Sequence, residues 1–192
     1  DQANAYGEAQ RAELENGATL WAAGMGSWGE VDAGGASVNM DVDYYAGFVG
    51  AELPYGNGNK VGVFFGYGQT SFDGSDDGDD IHIGMYGEND WEKFGLTYGF
   101  AYTTQDREGK RDLTFLDRTT RSAIDYNATV FQIFGEASYK GFNTESYQVE
   151  PYIGLSWLKG SADDFTENAG GCNIMTEIDD QNLGMANIGV RG

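Results

Sequence analysis

The sequence predicts an all-β fold: an antiparallel, up-and-down transmembrane barrel whose strands cross the bilayer, preceded by a short helix. Three observations carry that reading. The first is the stretch Phe94–Tyr102, Phe-Gly-Leu-Thr-Tyr-Gly-Phe-Ala-Tyr. Each even position there is large and apolar or aromatic, and each odd one is Gly, Thr or Ala. Successive side chains of a strand point to opposite faces, so one face is greasy and the other small and mildly polar. A soluble sheet hides its apolar face and shows a charged one. This stretch carries no charge on either, as a barrel needs when it turns an apolar band to lipid and a polar or small-residue face inward.

The second observation is recurrence. Val61, Val63, Phe65 and Tyr67 alternate with Gly62, Gly66 and Gly68, and Ile81, Ile83 and Met85 oppose His82, Gly84, Tyr86 and Glu88. Thr129, Phe131, Ile133, Ala137 and Tyr139 share one face of their segment, with Gln132, Phe134, Glu136 and Ser138 on the other. Val149, Pro151, Ile153, Leu155 and Trp157 stand against Glu150, Tyr152, Gly154 and Ser156. Each segment is about as long as the ~9–11 residues a tilted strand needs to cross a bilayer.

The third is the rhythm of the connections. Short ones (Pro54–Asn59, Asn89–Glu92, Lys140–Tyr147) alternate with long ones (Gly29–Asp41, Phe72–Asp80, Gln105–Arg121, Lys159–Asp180). Asn-Gly and Gly-Asn pairs in the first short turn supply the positive φ of tight hairpins. Short turns on one side and long loops on the other describe a barrel meander. The strands are then Thr19–Trp28, Val42–Leu53, Lys60–Ser71, Ile81–Glu88, Lys93–Thr104, Asn127–Tyr139, Gln148–Leu158 and Gln181–Arg191, eight in all. Ahead of them Ala3–Leu14 is dominated by helix formers, with Gly17 placed to cap its end, and reads as a short helix. Residues 1–17 are thus a linker and 18–192 the barrel domain.

Composition bounds the rest. The chain has 30 Gly, 2 Pro, 11 Phe, 12 Tyr and 4 Trp in 192 residues; without a three-residue glycine period this excludes collagen, and the apolar fraction of 40% argues against disorder. No apolar run reaches the length of a helical membrane span, and the negative mean hydropathy is no obstacle to a barrel, since only alternate residues face lipid. A net charge of −20 leaves no basic surface for a phosphate backbone, so nucleic acid is not an expected partner. Cys172 stands alone and reads as an incidental loop thiol, with no disulfide and no Cys-based zinc site. Asp1 opens a polar segment rather than a signal peptide, which reads as a mature product or an excised piece.

Leu20–Gly29, Leu-Trp-Ala-Ala-Gly-Met-Gly-Ser-Trp-Gly, resembles the first barrel strand of classical autotransporter β-domains. So does the sequel, Tyr45–Glu52 followed after a turn by Val61–Tyr67. Phe134–Tyr139 with Val149–Leu155 is similar to the family's middle pair of strands, and Leu183–Gly192 to its next one. The resemblance runs from Ala18 to Gly192 and implies a twelve-stranded barrel in the outer membrane of a Gram-negative bacterium. It further implies a helix threaded through the lumen, an N-terminal passenger carried to the cell surface (type V secretion), and insertion by the outer-membrane assembly machinery. Measured against that family the chain reads as truncated after its eight strands, without the closing aromatic-ended strand.

Chemistry is weakly signalled. Asp73–Asp80 invites a calcium reading but matches neither EF-hand spacing nor a repeated nonapeptide, and reads as a solvated acidic loop, as do Asp163-Asp164 and Asp179-Asp180. His82 is the only histidine, with no Gly-x-Ser-x-Gly nearby, and reads as lining the lumen. The Gly62–Gly68 run lies inside a strand with no Lys-Ser/Thr after it, so it is no phosphate loop. Glu136 and Glu150 resemble a glycosidase pair only in type, and a polar pore lining is the simpler account. The expected pore-lining set is His82, Gln132, Glu136, Glu150, Tyr152 and Arg191, while Gly62, Gly66, Gly95, Gly99 and Gly154 leave room inside. No catalytic, cofactor or metal residue is assigned. Two competing readings are a soluble extracellular β-sandwich that binds a ligand or cell surface, and a complete small eight-stranded barrel. The leading reading makes the domain a translocator that carries or anchors its passenger without catalysis of its own.

Overall fold

The computed structural model describes residues 2–31, 40–72, 76–115, 118–142, 147–169 and 172–191. Its strands are β1 (Gln2–Tyr6), β2 (Gln10–Glu13), β3 (Thr19–Val31), β4 (Met40–Tyr55), β5 (Asn59–Phe72) and β6 (Asp76–Asp90). They continue with β7 (Phe94–Phe115), β8 (Arg118–Tyr139), β9 (Glu150–Ala162), β10 (Phe165–Ala169), β11 (Cys172–Thr176) and β12 (Gln181–Arg191). One sheet runs β1-β3-β4-β5-β6-β7-β8-β9-β12, every pairing antiparallel, with β2 also on β3 and β10-β11 a separate hairpin. The sheet is open: among the described residues β12 pairs only with β9. All eight expected strands are present, in meander order.

Burial is inverted relative to a water-soluble sheet. Among the described residues the buried apolar side chains are Ala18 and Ala46, whereas Glu52 and Asp80 are 6% and 1% exposed. Phe65, Ile153 and Leu155 are 49%, 52% and 61% exposed. Among the described residues the one other sheet is the β10-β11 hairpin, which touches β8 where Tyr126 stacks on Phe165 and leaves the apolar band uncovered, so the sandwich reading falls. In water, each such exposed side chain would forgo ~1.5–3 kcal/mol of burial; lipid removes that deficit.

The register shows how the outer face is built. Val49, Val63, Phe65, Ile83, Met85, Phe100, Ile133, Ile153 and Leu155 form an exposed aliphatic and aromatic band. At the short-turn end it is bordered by exposed Tyr55, Trp91, Phe94, Phe142 and Tyr147, and at the other by Trp28, Tyr45, Tyr67, Tyr102 and Trp157. The Tyr and Trp rings of these borders, each with a polar edge, suit the two boundaries between lipid and water. From Tyr45 to Tyr55, at a rise of ~3.3 Å per residue and a tilt of ~40°, the band is about 25 Å tall, the height of a barrel's apolar belt.

On the other face, rings lie over the glycine directly opposite them. Trp21 covers Gly50, Phe48 covers Gly66, Phe64 covers Gly84, Tyr86 covers Gly62 and Phe134 covers Gly99. The inward glycines therefore seat rings instead of leaving the space open, which corrects the expected roomy lining: Gly62, Gly66 and Gly99 are covered by rings, and a Cβ at Gly95 or Gly154 would meet Ser138 or Asn187. A Cβ at Gly99 would fall 2.6 Å from the Met85 carbonyl oxygen and 2.7 Å from the Phe134 ring. Gly99→Leu should thus lower folding yield into lipid by an overpacking cost of about 1–3 kcal/mol. Gly47→Ala, which opens onto nothing within 4 Å, should fold like the parent. Heat-dependent gel mobility distinguishes the two.

Four further expectations are corrected. The helix over Ala3–Leu14 is absent: its residues form β1 and β2 along the edge of β3. Helix propensities differ by only tenths of a kcal/mol, Gly7 interrupts the run, and the edge offers a row of unpaired backbone groups. The expected loop Gln105–Arg121 is mostly ladder, since β7 and β8 are 22 residues each and stay paired from Phe94↔Tyr139 to Phe115↔Arg118. Asp76–Asp80 belongs to β6, and β9 runs on to Ala162 before the β10-β11 hairpin. Residues 32–39, 73–75, 116–117, 143–146 and 170–171 of the expected connections lie outside the described residues. The turn between β4 and β5 is as read, with Gly56 at φ 62° and Gly58 at φ 75°.

Candidate functional site

The inner face carries the molecule's concentrated polar chemistry, in three nodes. The first centres on Glu52 of β4. Tyr86 Oη donates to Glu52 Oε1 at 2.7 Å, and Trp21 Nε1 donates in turn to Tyr86 Oη at 2.8 Å. Arg11 Nη1 lies 3.1 Å from Glu52 Oε2, and Lys60 Nζ is 3.7 Å from Glu52 and 3.0 Å from Glu88. Trp21 and Tyr86 stand on β3 and β6, three strand spacings apart, roughly 14 Å on a flat sheet. Their side chains meet because each leans over the glycine beside it, Trp21 over Gly50 and Tyr86 over Gly62, toward the other.

The second node is nearer the long-loop end. Asp80 accepts a hydrogen bond from Thr70 Oγ1 at 3.2 Å and pairs with Arg107 Nη2 at 2.8 Å. His82, two positions along β6, is bridged to Tyr44 Oη through Nε2 and to Thr103 Oγ1 through Nδ1, both at 2.9 Å. A neutral imidazole donates through one nitrogen and accepts through the other, so the ring is fully engaged. Asp80 departs from the solvated-loop expectation, whereas Asp77, Asp79, Asp163, Asp164, Asp179 and Asp180 are exposed as expected.

The third node lies on β8, β9 and β12. Arg191 pairs with Glu136 through Nη2, sits 3.4 Å from Glu150 Oε1, and stacks 4.3 Å above the Tyr152 ring centroid. The expected pore-lining residues all fall on this one face: Glu136, Glu150, Tyr152 and Arg191 come together, and Gln132 borders the polar groove beside them with Phe134, Ser156 and Asn187. His82 belongs to the second node. Glu136 and Glu150 are held by one guanidinium, a structural arrangement with no acid and base poised apart. Arg191 is half exposed, so Arg191→Ala should shift stability by less than about 1 kcal/mol. A loss comparable to a buried pair in urea titrations would overturn that.

Sequence reasoning missed Glu52, Trp21, Tyr86, Asp80 and Arg107. Strand parity carried a signal, since Glu52 shares its face with Phe48 and Gly50. Among the described residues no three His, Cys, Asp or Glu side chains are grouped to hold a metal ion.

Residues 20–192 match the Autotransporter beta-domain family. The chain belongs to that family. As an autotransporter β-domain it is an outer-membrane translocator, its apolar band embedded in the lipid. A curated relative, an extracellular serine protease of Serratia marcescens, is 25% identical over 181 residues, covering 92% of this chain and 17% of its own. The autotransporter β-domain here therefore spans less than a fifth of that relative's length. Among solved structures, the translocator domain of the autotransporter NalP from Neisseria meningitidis superposes with a TM-score of 0.64 at 16% identity, over 88% of this chain and 58% of that one. The outer membrane protein OmpT of Vibrio cholerae gives 0.54 at 17% identity, over 99% and 56%. At these identities the structures speak for the fold alone: an open sheet with the curvature of a partial outer-membrane barrel.

Proposed function

We propose that this domain carries or anchors an N-terminal passenger at the bacterial surface and performs no catalysis itself. The observation that supports this most is the inverted burial: an apolar band outward and a concave polar face inward, held in register over eight strands. His82, Gln132, Glu136, Glu150, Tyr152 and Arg191 line the passage, with the Glu52 and Asp80 nodes bracing its wall. The described inner charges Glu52, Asp80, Glu136 and Glu150 each have a cationic partner on the sheet, which keeps the lining polar without fixing a threaded chain in place. The assembly machinery of the outer membrane inserts the sheet, and a net charge of −20 keeps nucleic acid off it.

An epitope fused ahead of Asp1 in the full parent protein tests the reading. Intact cells should display it to antibody and to added protease, and deletion of residues 20–192 should abolish display. Display that survives the deletion would overturn the carrier role. Turnover of peptide or glycoside substrates by the purified barrel, lost on Glu136→Gln, would overturn the absence of catalysis.

A further inference from the structure

The outer edge of β3 is occupied in two pieces. β2 pairs along Thr19–Ala22, and β1 pairs along Met25–Gly29, with Gly7 N donating to Gly24 O at 2.9 Å between them. A strand edge has one row of N–H and C=O groups and takes one partner along it. At the far end of the sheet β12 has no second neighbour among the described residues. A wall in lipid must close, because an open edge leaves backbone groups that hydrocarbon cannot satisfy. Closure consumes the edge of β3, which residues 2–13 already hold.

One contact selects that occupant. Arg11, opposite Trp21 in register, reaches past β3 to Glu52 on β4, where the guanidinium sits 3.1 Å from a carboxylate that is nearly buried. Glu52 is oriented for it by Tyr86, which Trp21 holds from the other side. A cationic side chain at this position of the edge strand finds a preformed anion. The attachment is nevertheless small: β2 is four residues, all exposed, and the Arg11 side chain is half exposed.

We propose that residues 2–13 are a removable edge strand: they dock on β3 through the Arg11–Glu52 pair, protect its backbone during assembly, and leave when a strand from outside these residues closes the barrel. This rests on the barrel architecture and is independent of whether a passenger is carried. It makes the edge of β3 a strand-exchange site, with a guanidinium-bearing β-strand as its first ligand.

The test uses the full parent protein with Cys172→Ser and the directly paired positions Ala12→Cys and Leu20→Cys. Mild oxidation at intervals during membrane assembly should cross-link this pair early, several-fold above an off-register control, Ala12→Cys with Gly24→Cys. In the mature, heat-resistant barrel the yield should fall at least tenfold. Protein locked by the early disulfide should stay heat-labile until reduced. Arg11→Ala should lower the early yield several-fold and Arg11→Lys should retain it. An early yield no greater than the control would overturn the docking. Full cross-linking in the mature barrel would make residues 2–13 a permanent wall strand, and an Arg11→Ala yield equal to the parent's would remove the selecting contact. Epitope display scored in the same cells separates these failures from failure of the carrier role.

Discussion

Arginine at Phe100 should cost ~2–4 kcal/mol of folding free energy into bilayers, a roughly 30- to 1000-fold loss in the folded-to-unfolded ratio, whereas arginine at the adjacent Ala101 should cost far less. Phe100 lies mid-band on β7 and is exposed, with Met85 and Ile133 as its cross-strand neighbours. A guanidinium there has only hydrocarbon around it. Ala101 points to the concave side, between Gly84 and Gln132, where water and polar groups accept the charge. Urea titration of each variant in lipid vesicles reads the difference. Equal midpoints for the two variants would overturn the assignment of faces and with it the membrane reading.

Arg107→Leu should be the most damaging substitution on the inner face. Asp80 is 1% exposed, and the guanidinium of Arg107, 2.8 Å away, is its cationic partner. Removing one member of a buried pair leaves the other charge uncompensated, at about 3–5 kcal/mol, whereas replacing both with apolar groups is often nearly neutral. The double variant Arg107→Leu, Asp80→Leu should therefore recover most of the lost stability. A double variant no better than the single one would show that Arg107 matters for its packing over Gly78, directly opposite on β6, rather than for its charge.

The membrane strands were legible because lipid outside and a polar space inside impose opposite demands on alternate residues. Phe94–Tyr102 and Val61–Tyr67 show both demands within a few residues. Beyond the aromatic border water lies on both sides and the alternation vanishes, so Gln105–Arg121 reads as loop although its ladder continues through Thr-rich and basic sequence. The fate of Ala3–Leu14 depended on an unpaired edge contributed by β3, information that no local window holds. The third node was legible by parity alone, since Glu136, Glu150, Tyr152 and Arg191 all occupy inward positions. The partnership of Asp80 with Arg107 and of Glu52 with Tyr86 and Arg11 was not, because it depends on which strand lies beside which.

The rings seated on glycines also act as a proofreading device. Slipping β5 against β6 by one residue would turn an apolar face inward, an error that lipid itself penalises. A slip of two keeps every face correct, so lipid cannot detect it. In the native alignment Phe64 meets Gly84 while Gly62 meets Tyr86. Moving two residues one way sets Phe64 against Tyr86 and Gly66 against Gly84; moving two the other way sets Phe64 against His82 and Gly62 against Gly84. Either error collides two rings and leaves a hole where two glycines face each other. The chain thus recognises its own correct alignment by volume, at the smallest slip to which polarity is blind.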